Sequence, residues 1–278
     1  MGYTSRSRLL KIIMTTVMGI LSIFMLLPFF WMLSASFKPD NEVFGFPIQW
    51  ITKSFSFTNY LRVWNSDVPF FTFFMNSVKV TVIAVFGEVV TSALAGYSFA
   101  KIKFKGRDLV FLIYLSTLIF PGQMMLIPRF VLFREIGLYN THWALILPGM
   151  FTAFGTFLLK QFFSTIPEEL SESAKIDGAS HWTIFTRIVL PLSTAAVSAL
   201  IIFQFVSMWN SYEPALIYLR TKSLATIPLG LQYFNTENST SYATIMAASV
   251  SSLIPIFVVF LSFQKQFVQG IATAGLKD

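Results

Sequence analysis

Long apolar stretches alternate with short polar ones along the chain. The runs lie at about 12–33, 76–99, 109–128, 143–163, 191–212 and 243–264, each dominated by Ile, Leu, Val, Phe, Met and Ala. Each is about 20 residues long, enough at about 1.5 Å per residue to cross the roughly 30 Å hydrocarbon core of a bilayer. In that core the backbone must satisfy its own hydrogen bonds, so the pattern predicts six transmembrane helices and an all-α integral membrane protein. The first run ends in Ser34-Ala35-Ser36, small residues that suit a signal-peptide cleavage site. At about 22 residues it exceeds the 7–15 of a signal core, so it is retained as a span. Pro121-Gly122, Pro148-Gly149 and Pro255 fall inside runs, and kinks are expected where neighbouring helices or waters satisfy the freed backbone groups.

Composition sharpens this picture. Of 278 residues, 55% are hydrophobic and 12% charged, against about 25% charged in soluble domains; the chain reads as one transmembrane domain, residues 1–278. A net charge of +7 could suit nucleic acid, but the Lys and Arg residues cluster beside apolar runs, where they act as topology signals. The densest cluster, Lys101, Lys103, Lys105 and Arg107, places that loop, and with it both termini, on the cytoplasmic side. There is no cysteine, and the only histidines, His142 and His181, are far apart; no disulfide or metal site is expected. The long outer segment at about 34–75 carries Trp50, Tyr60 and Trp64, read as interfacial anchors against membrane lipid.

One cytoplasmic stretch, about 165–191, does not resemble a span. Pro167 suits the start of a helix, and Glu168, Glu169 and Glu172 complement the positive end of its dipole. Gly178 suits a left-handed stop. The expectation is a short helix, a turn, and a second amphipathic helix ending at Pro191. Membrane-surface helices are usually rich in Lys and Arg; an acid-rich helix with small residues is better matched to a protein cleft.

Glu172-Ser173-Ala174, then Gly178, then Ile188 and Leu190-Pro191 resemble the EAA loop of ABC importer permeases, with Ser173 the one departure, small for small. The likeness extends to the carbohydrate, MalG-like branch through Pro28-Phe29-Phe30-Trp31-Met32, Ser36 and Lys38, through Phe104-Lys105-Gly106-Arg107, through Trp209-Asn210-Ser211-Tyr212 with Pro214-Ala215-Leu216, and through the tail Phe267 to Lys277. The resemblance implies a type I importer permease fold with a cytoplasmic coupling helix, in a bacterial inner membrane. It implies that Glu172, Ser173, Ala174, Asp177, Gly178, Ile188, Leu190 and Pro191 couple the spans to a cytoplasmic ATPase dimer. In that reading Glu172 pairs with a basic residue of the ATPase cleft, Ala174 and Gly178 permit close approach, and Asp177 braces the turn. It further implies a second permease, an extracytoplasmic solute-binding protein and a sugar substrate. In the family's maltose importer the sugar is held mainly by the partner permease, so little contact with this subunit is implied. The tail there reaches the ATPase dimer; here it ends in Asp278.

The chain has no G-x-x-x-x-G-K-[ST] phosphate loop, so it is not expected to be an enzyme, and ATP and Mg are assigned to the partner ATPase. Candidate substrate contacts are Glu88 within the second run, Gln123 beside Pro121-Gly122, and Asn210, Tyr212 and Glu213 near the end of the fifth. An intramembrane carboxylate is a functional candidate, although a structural hydrogen bond is the favoured role of Glu88, since sugars are neutral. An importer for a non-sugar solute and a stand-alone secondary transporter are the alternatives; the latter usually carries inverted repeats, and none is visible.

Overall fold

The computed structural model describes residues 2–274 apart from 53, 66, 237 and 238, with side chains described at 8–268 apart from 53, 66 and 235–240. Residues 275–278 of the tail expected to meet an ATPase therefore lie outside the described residues. Among the described residues the regular structure is helical, save for a two-residue antiparallel pair of Asn235–Thr236 with Ser239–Thr240. Four helices are long and apolar enough to cross a membrane: Arg8–Ser36, Phe70–Lys101, Trp143–Thr165 and Tyr242–Val268. The count rises to six if each of two sharply bent helix pairs is one span.

The chain divides into two compact units, Met1–Val68 with Tyr233–Ser251, and Pro69–Gln232 with Ser252–Asp278. In the first, α1 (Gly2–Ser36) is followed by α2 (Asp40–Val43) and α3 (Thr58–Asn65). No residue in the most apolar stretch of α1 is buried within this chain. The residues after α1 are drawn back against its last turns. Ser34 Oγ donates to the Trp50 carbonyl at 2.5 Å, and the Trp31 and Trp50 rings meet edge-on at 5.9 Å. Lys38 is fully buried, its ammonium donating to the Gln49 carbonyl and lying 4.5 Å from the centre of the Trp31 ring. Asn59 donates to the carbonyls of Ser36 and Lys38, and Tyr60 shares a 2.8 Å hydrogen bond with Ser36. Trp31, Ser36 and Lys38, which carry part of the family resemblance in the sequence, thus fasten the segment after α1 to that helix.

The second unit is built on α4 (Phe70–Lys101). After it come α5 (Arg107–Ser116), α6 (Leu126–Glu135), α7 (Trp143–Met150), α8 (Ala153–Thr165) and α9 (Glu168–Ile176). These are followed by α10 (His181–Ile184), α11 (Leu190–Leu192), α12 (Thr194–Trp209), α13 (Glu213–Tyr218), α14 (Ile227–Gly230) and α15 (Tyr242–Ala274), whose part after Ser251 belongs here. Helices α7, α8 and α12 pack on α4, and the absence of side chains at glycines lets them close. A Cβ on Gly96 would lie 3.0 Å from the Lys160 nitrogen, and one on Gly149 2.7 Å from Met208 Sδ.

Two runs depart from a straight helix. The third, expected at 109–128, is broken into Arg107–Ile119 and Gly122–Glu135 with axes 92° apart. Proline removes a donor and glycine relaxes the backbone, so Pro121-Gly122 ends one helix and opens the next. The fifth, expected at 191–212, bends by 76° between His181–Leu192 and Thr194–Trp209. Here Pro191 does not end the helix. A π-helical turn over Phe185–Val189 precedes it, with Leu190 N–H donating to the Phe185 carbonyl. The chain then turns at Ser193, whose buried hydroxyl donates to the Val189 carbonyl at 2.7 Å. Ser193 N–H goes to the Leu190 carbonyl at 3.1 Å, and its hydroxyl takes the Val189 carbonyl that this N–H would serve in a continuous α-helix. Pro148 and Pro255 lie inside helical segments, Trp143–Met150 and Tyr242–Ala274.

Candidate functional site

The polar loop between α8 and α12 is a helix, a turn and an anchor. Pro167 precedes the first turn of α9, where Glu168 and Glu169 face the positive end of the dipole. At the other end Gly178 adopts φ +82°, its N–H donating to the Lys175 carbonyl at 3.0 Å, while Ala179 N–H reaches the Ala174 carbonyl at 2.9 Å. This pair of bonds closes the helix as a Schellman turn, which requires a left-handed residue at this position. Ser180 restarts the chain, its hydroxyl accepting from Thr183 N–H at 3.2 Å, as N-cap residues do.

The anchor is apolar. Ile184, Phe185 and Val189 are buried among Ala93 and Tyr97 of α4, Leu159 and Phe163 of α8, and Leu200 of α12, with Ala174, Ala179 and Leu190 packed at the edge. Tyr97 hydroxyl also meets His181 Nδ1 at 3.2 Å. The Lys101 ammonium donates to the Ile166 carbonyl at 2.6 Å, and Lys103 pairs with Glu168 at 3.3 Å. The cationic cluster read from sequence as a topology signal therefore also holds the start of this loop.

Of the eight residues singled out in this loop, Glu172, Ser173, Asp177, Gly178 and Pro191 are exposed, whereas Ala174 and Leu190 pack inward and Ile188 is half-buried. Asp177 terminates α9 through its backbone N–H to the Ser173 carbonyl. Beside Glu172 and Gly178 stand exposed apolar side chains, Ile176 at 87% and Trp182 at 64% exposure. Sequence reasoning passed over these, and over Ile184, Phe185 and Val189. The four-residue spacing of Phe185 and Val189, with Ile184 adjacent, was the available signal for a buried face.

The candidate substrate residues do not converge. Glu88 is buried, accepts a hydrogen bond from Thr152 Oγ1, and borders a cavity of about 420 Å³ with Thr152, Phe154, Leu200, Phe203, Gln204 and Ser207. Its role in holding Thr152 bears on the structural reading given to it above. Asn210 turns back to cap its own helix through the Val206 carbonyl, Tyr212 bonds Gln232, and Glu213 lies in the first turn of α13. Gln123 is exposed in the short turn that opens the second half of the broken third run. Thr152, Gln204 and Ser207 were missed, being short polar residues within apolar runs.

The two histidines stand apart: His142 bonds the Leu224 carbonyl at 3.0 Å, and burial pushes its pKa down against the pull of that carbonyl. Among the described residues no group of three or more His, Cys, Asp or Glu side chains is placed to hold a metal ion.

Comparison with known proteins places this architecture. Residues 89–273 match the sequence profile of the binding-protein-dependent transport system inner membrane component. The chain is 33% identical to the arabinooligosaccharides transport system permease protein AraQ of Bacillus subtilis, over 96% of each chain. It is 32% identical to the lactose transport system permease protein LacG of Rhizobium radiobacter, over 96% of this chain and 97% of that one. Its fold is similar to a chain of a bacterial ABC transporter involved in the import of the acidic polysaccharide alginate, with a TM-score of 0.83 and 25% identity over 95% of this chain and 99% of that one. A continuous profile match through α4, the anchored loop and α15, joined to full-length similarity on both sides, establishes that this membrane-spanning chain belongs to the family of binding-protein-dependent transport system inner membrane components.

Proposed function

We propose that this chain is one permease subunit of a binding-protein-dependent, ATP-driven importer of sugars, oligosaccharides in particular, and that its two units serve one permease domain. The observation that carries the reading is the Glu168–Gly178 helix and turn, exposed on its outer side and rooted by Ile184, Phe185 and Val189 in the packing of α4, α8 and α12. A lever needs both properties: a surface for a partner and a stiff connection to what it moves. The sugar assignment draws on relatives named for arabinooligosaccharides and lactose.

In this proposal a second permease completes the pathway, a solute-binding protein delivers the sugar from outside, and a cytoplasmic ATPase dimer binds ATP and Mg. The chain sits in the bacterial cytoplasmic membrane with both termini inside. Closure of the ATPase dimer moves α9 as a rigid body. Glu172 supplies an exposed carboxylate for a cationic side chain, Ile176 and Trp182 supply apolar contact, and the turn at Gly178 fixes the angle between α9 and the anchor. Ile188, Leu190 and Pro191 transmit the displacement toward α12 through the bend at Ser193.

The test is Gly178→Asp in the assembled importer. A side chain there meets no atom within 4 Å, so the fold should survive while the turn is strained. The expected result is ATP hydrolysis no longer matched by uptake, or loss of the ATPase from the purified complex. Normal uptake with normal assembly would refute the assignment.

A further inference from the structure

A hydroxyl-lined track runs through the second unit. The cavity beside Glu88 shares Thr152, Gln204 and Ser207 with a second one, of about 200 Å³, that reaches Ser211, Pro214 and Arg129. Gln204 and Ser207 are one helical turn apart on one face of α12, and Ser211, just past the end of that helix, lines the same second cavity. Polar side chains at membrane depth are costly and face a protein interior or an aqueous cavity.

Three observations indicate that these groups are kept for a ligand. First, Glu88 is 1% exposed, and while one carboxyl oxygen takes the Thr152 hydroxyl, Oε2 has no hydrogen-bond partner among the described residues. Buried polar groups are nearly always paired, so an orphan acceptor at a cavity calls for an explanation. Second, Gln204 spends its amide NH₂ on the Gly149 carbonyl at 2.7 Å, leaving the amide oxygen as an acceptor. That carbonyl lies beside Pro148, in the last turn of α7. Third, six serines, at positions 22, 98, 164, 193, 251 and 262, return their hydroxyls to the carbonyl four residues earlier, whereas Ser92, beside Glu88 at the Gly155 seam, has a hydroxyl without a partner among the described residues. No such bond engages the Ser207 hydroxyl or that of Ser211.

We propose that this track is a sugar-contacting surface on this subunit itself, taking the hydroxyl groups of an uncharged sugar as the solute passes. The inference rests on the importer reading above and departs from the expectation that the partner permease holds the ligand. The free groups combine acceptors, Glu88 Oε2 and the Gln204 amide oxygen, with serine hydroxyls that both donate and accept, matching the hydroxyl groups of a sugar. The charged groups bordering the track, Glu88 at one end and Arg129 at the other, balance in sign, which suits a neutral solute better than a polyuronate.

The chain contains no cysteine, so single cysteines can be placed cleanly. Ser207→Cys, Ser211→Cys and Phe86→Cys are compared in the complete importer in nanodiscs, using a trimethylammonium methanethiosulfonate. Phe86 lies on α4, 70% exposed and two residues from Glu88, on the opposite side of the helix. The track cysteines should react about tenfold faster or more than Phe86→Cys. The reaction should slow when the complex is trapped with ATP, vanadate and binding protein carrying arabinotriose or lactose, whichever it retains, relative to the same trap without sugar. Equal labelling of all three positions, or no protection by trapped sugar, would overturn the track. Retention of trigalacturonate instead of either neutral sugar would overturn the uncharged-substrate class. A complex whose ATP hydrolysis ignores its binding protein would count against the importer reading, while the labelling pattern would still decide the track.

Discussion

Gly178 and Gly155 lie in the same unit and are glycines for opposite reasons. Gly178 has open space where a Cβ would stand, yet its backbone sits at φ +82°; the conformation requires it. Gly155, in the first turn of α8, has ordinary helical geometry, but a Cβ there would lie 2.5 Å from Ser92 Oγ and 2.8 Å from Glu88 Oε1; the space requires it. In the proposed function the first belongs to a surface presented to another protein. The second belongs to a seam that must close around a buried carboxyl. Substitution should therefore separate them, with Gly155 governing stability and Gly178 governing coupling.

The largest effect is expected at the seam. Gly155→Val should cost about 1–3 kcal/mol or more by overpacking, read as a lower unfolding temperature and less assembled importer in the membrane. Gly155→Ala should do less damage. Combining it with Ser92→Ala should recover part of the loss, because removing Ser92 Oγ relieves the shortest contact, and coupling between touching residues is what a double-mutant cycle measures. If Gly155→Val leaves thermal stability unchanged, α8 does not lie against α4 as described.

At the turn the expectation reverses. Gly178→Val should cost about 1–2 kcal/mol of local conformational strain, enough to shift the end of α9 without unfolding the spans. Gly178→Asn should be milder, since Asn tolerates the left-handed region. The measurement is sugar taken up per ATP hydrolysed, with Val the poorest, Asn intermediate and thermal stability close to the parent in both. A parallel loss of stability in both variants would remove the distinction between the two glycines. Ser180→Ala, which deletes the cap of α10, should cost about 1 kcal/mol and lower coupling less than Gly178→Val.

This contrast also explains what could be read in advance. The turn at Gly178 was legible because a left-handed stop has a local signature: acids first, small residues, then glycine, all within one short segment. The apolar runs were legible for the same reason, since crossing a bilayer is a property of consecutive residues. The seam was not legible. Nothing near Gly155 in the sequence announces Glu88 or Ser92, which come from another helix, and Thr152 reads as one more tolerated polar residue. The bends at Pro121 and Ser193 were half legible: proline marks where a helix is weakened, but whether the chain kinks slightly or turns by 92° or 76° depends on packing partners remote in sequence. Pro191 shows the limit, because the turn came at Ser193 once a π-helical segment and a serine hydroxyl had satisfied the local carbonyls.

The smallest effect separates two lysines that charge counting treats alike. Lys101 and Lys103 belong to one cationic cluster and both reach the start of the loop that holds α9. Lys103 pairs with Glu168 at the surface, the two side chains being 82% and 58% exposed, and exposed pairs contribute about 0–1 kcal/mol because water and salt screen them. Lys101 instead donates at 2.6 Å to the carbonyl of Ile166, itself a buried residue, at the C-terminus of α8. That carbonyl belongs to the connection between α8 and α9, so its hydrogen bond fixes where α9 begins, the start of the lever in the proposed function. Lys103→Ala should leave both stability and coupling within error of the parent, and raising the salt concentration should mimic it. Lys101→Met keeps most of the aliphatic stem and removes the donor, and should cost about 1 kcal/mol with a measurable fall in uptake per ATP. If Lys103→Ala proves the more damaging of the two, the cluster acts through charge on α9, and the backbone contact at Ile166 is not what positions the loop.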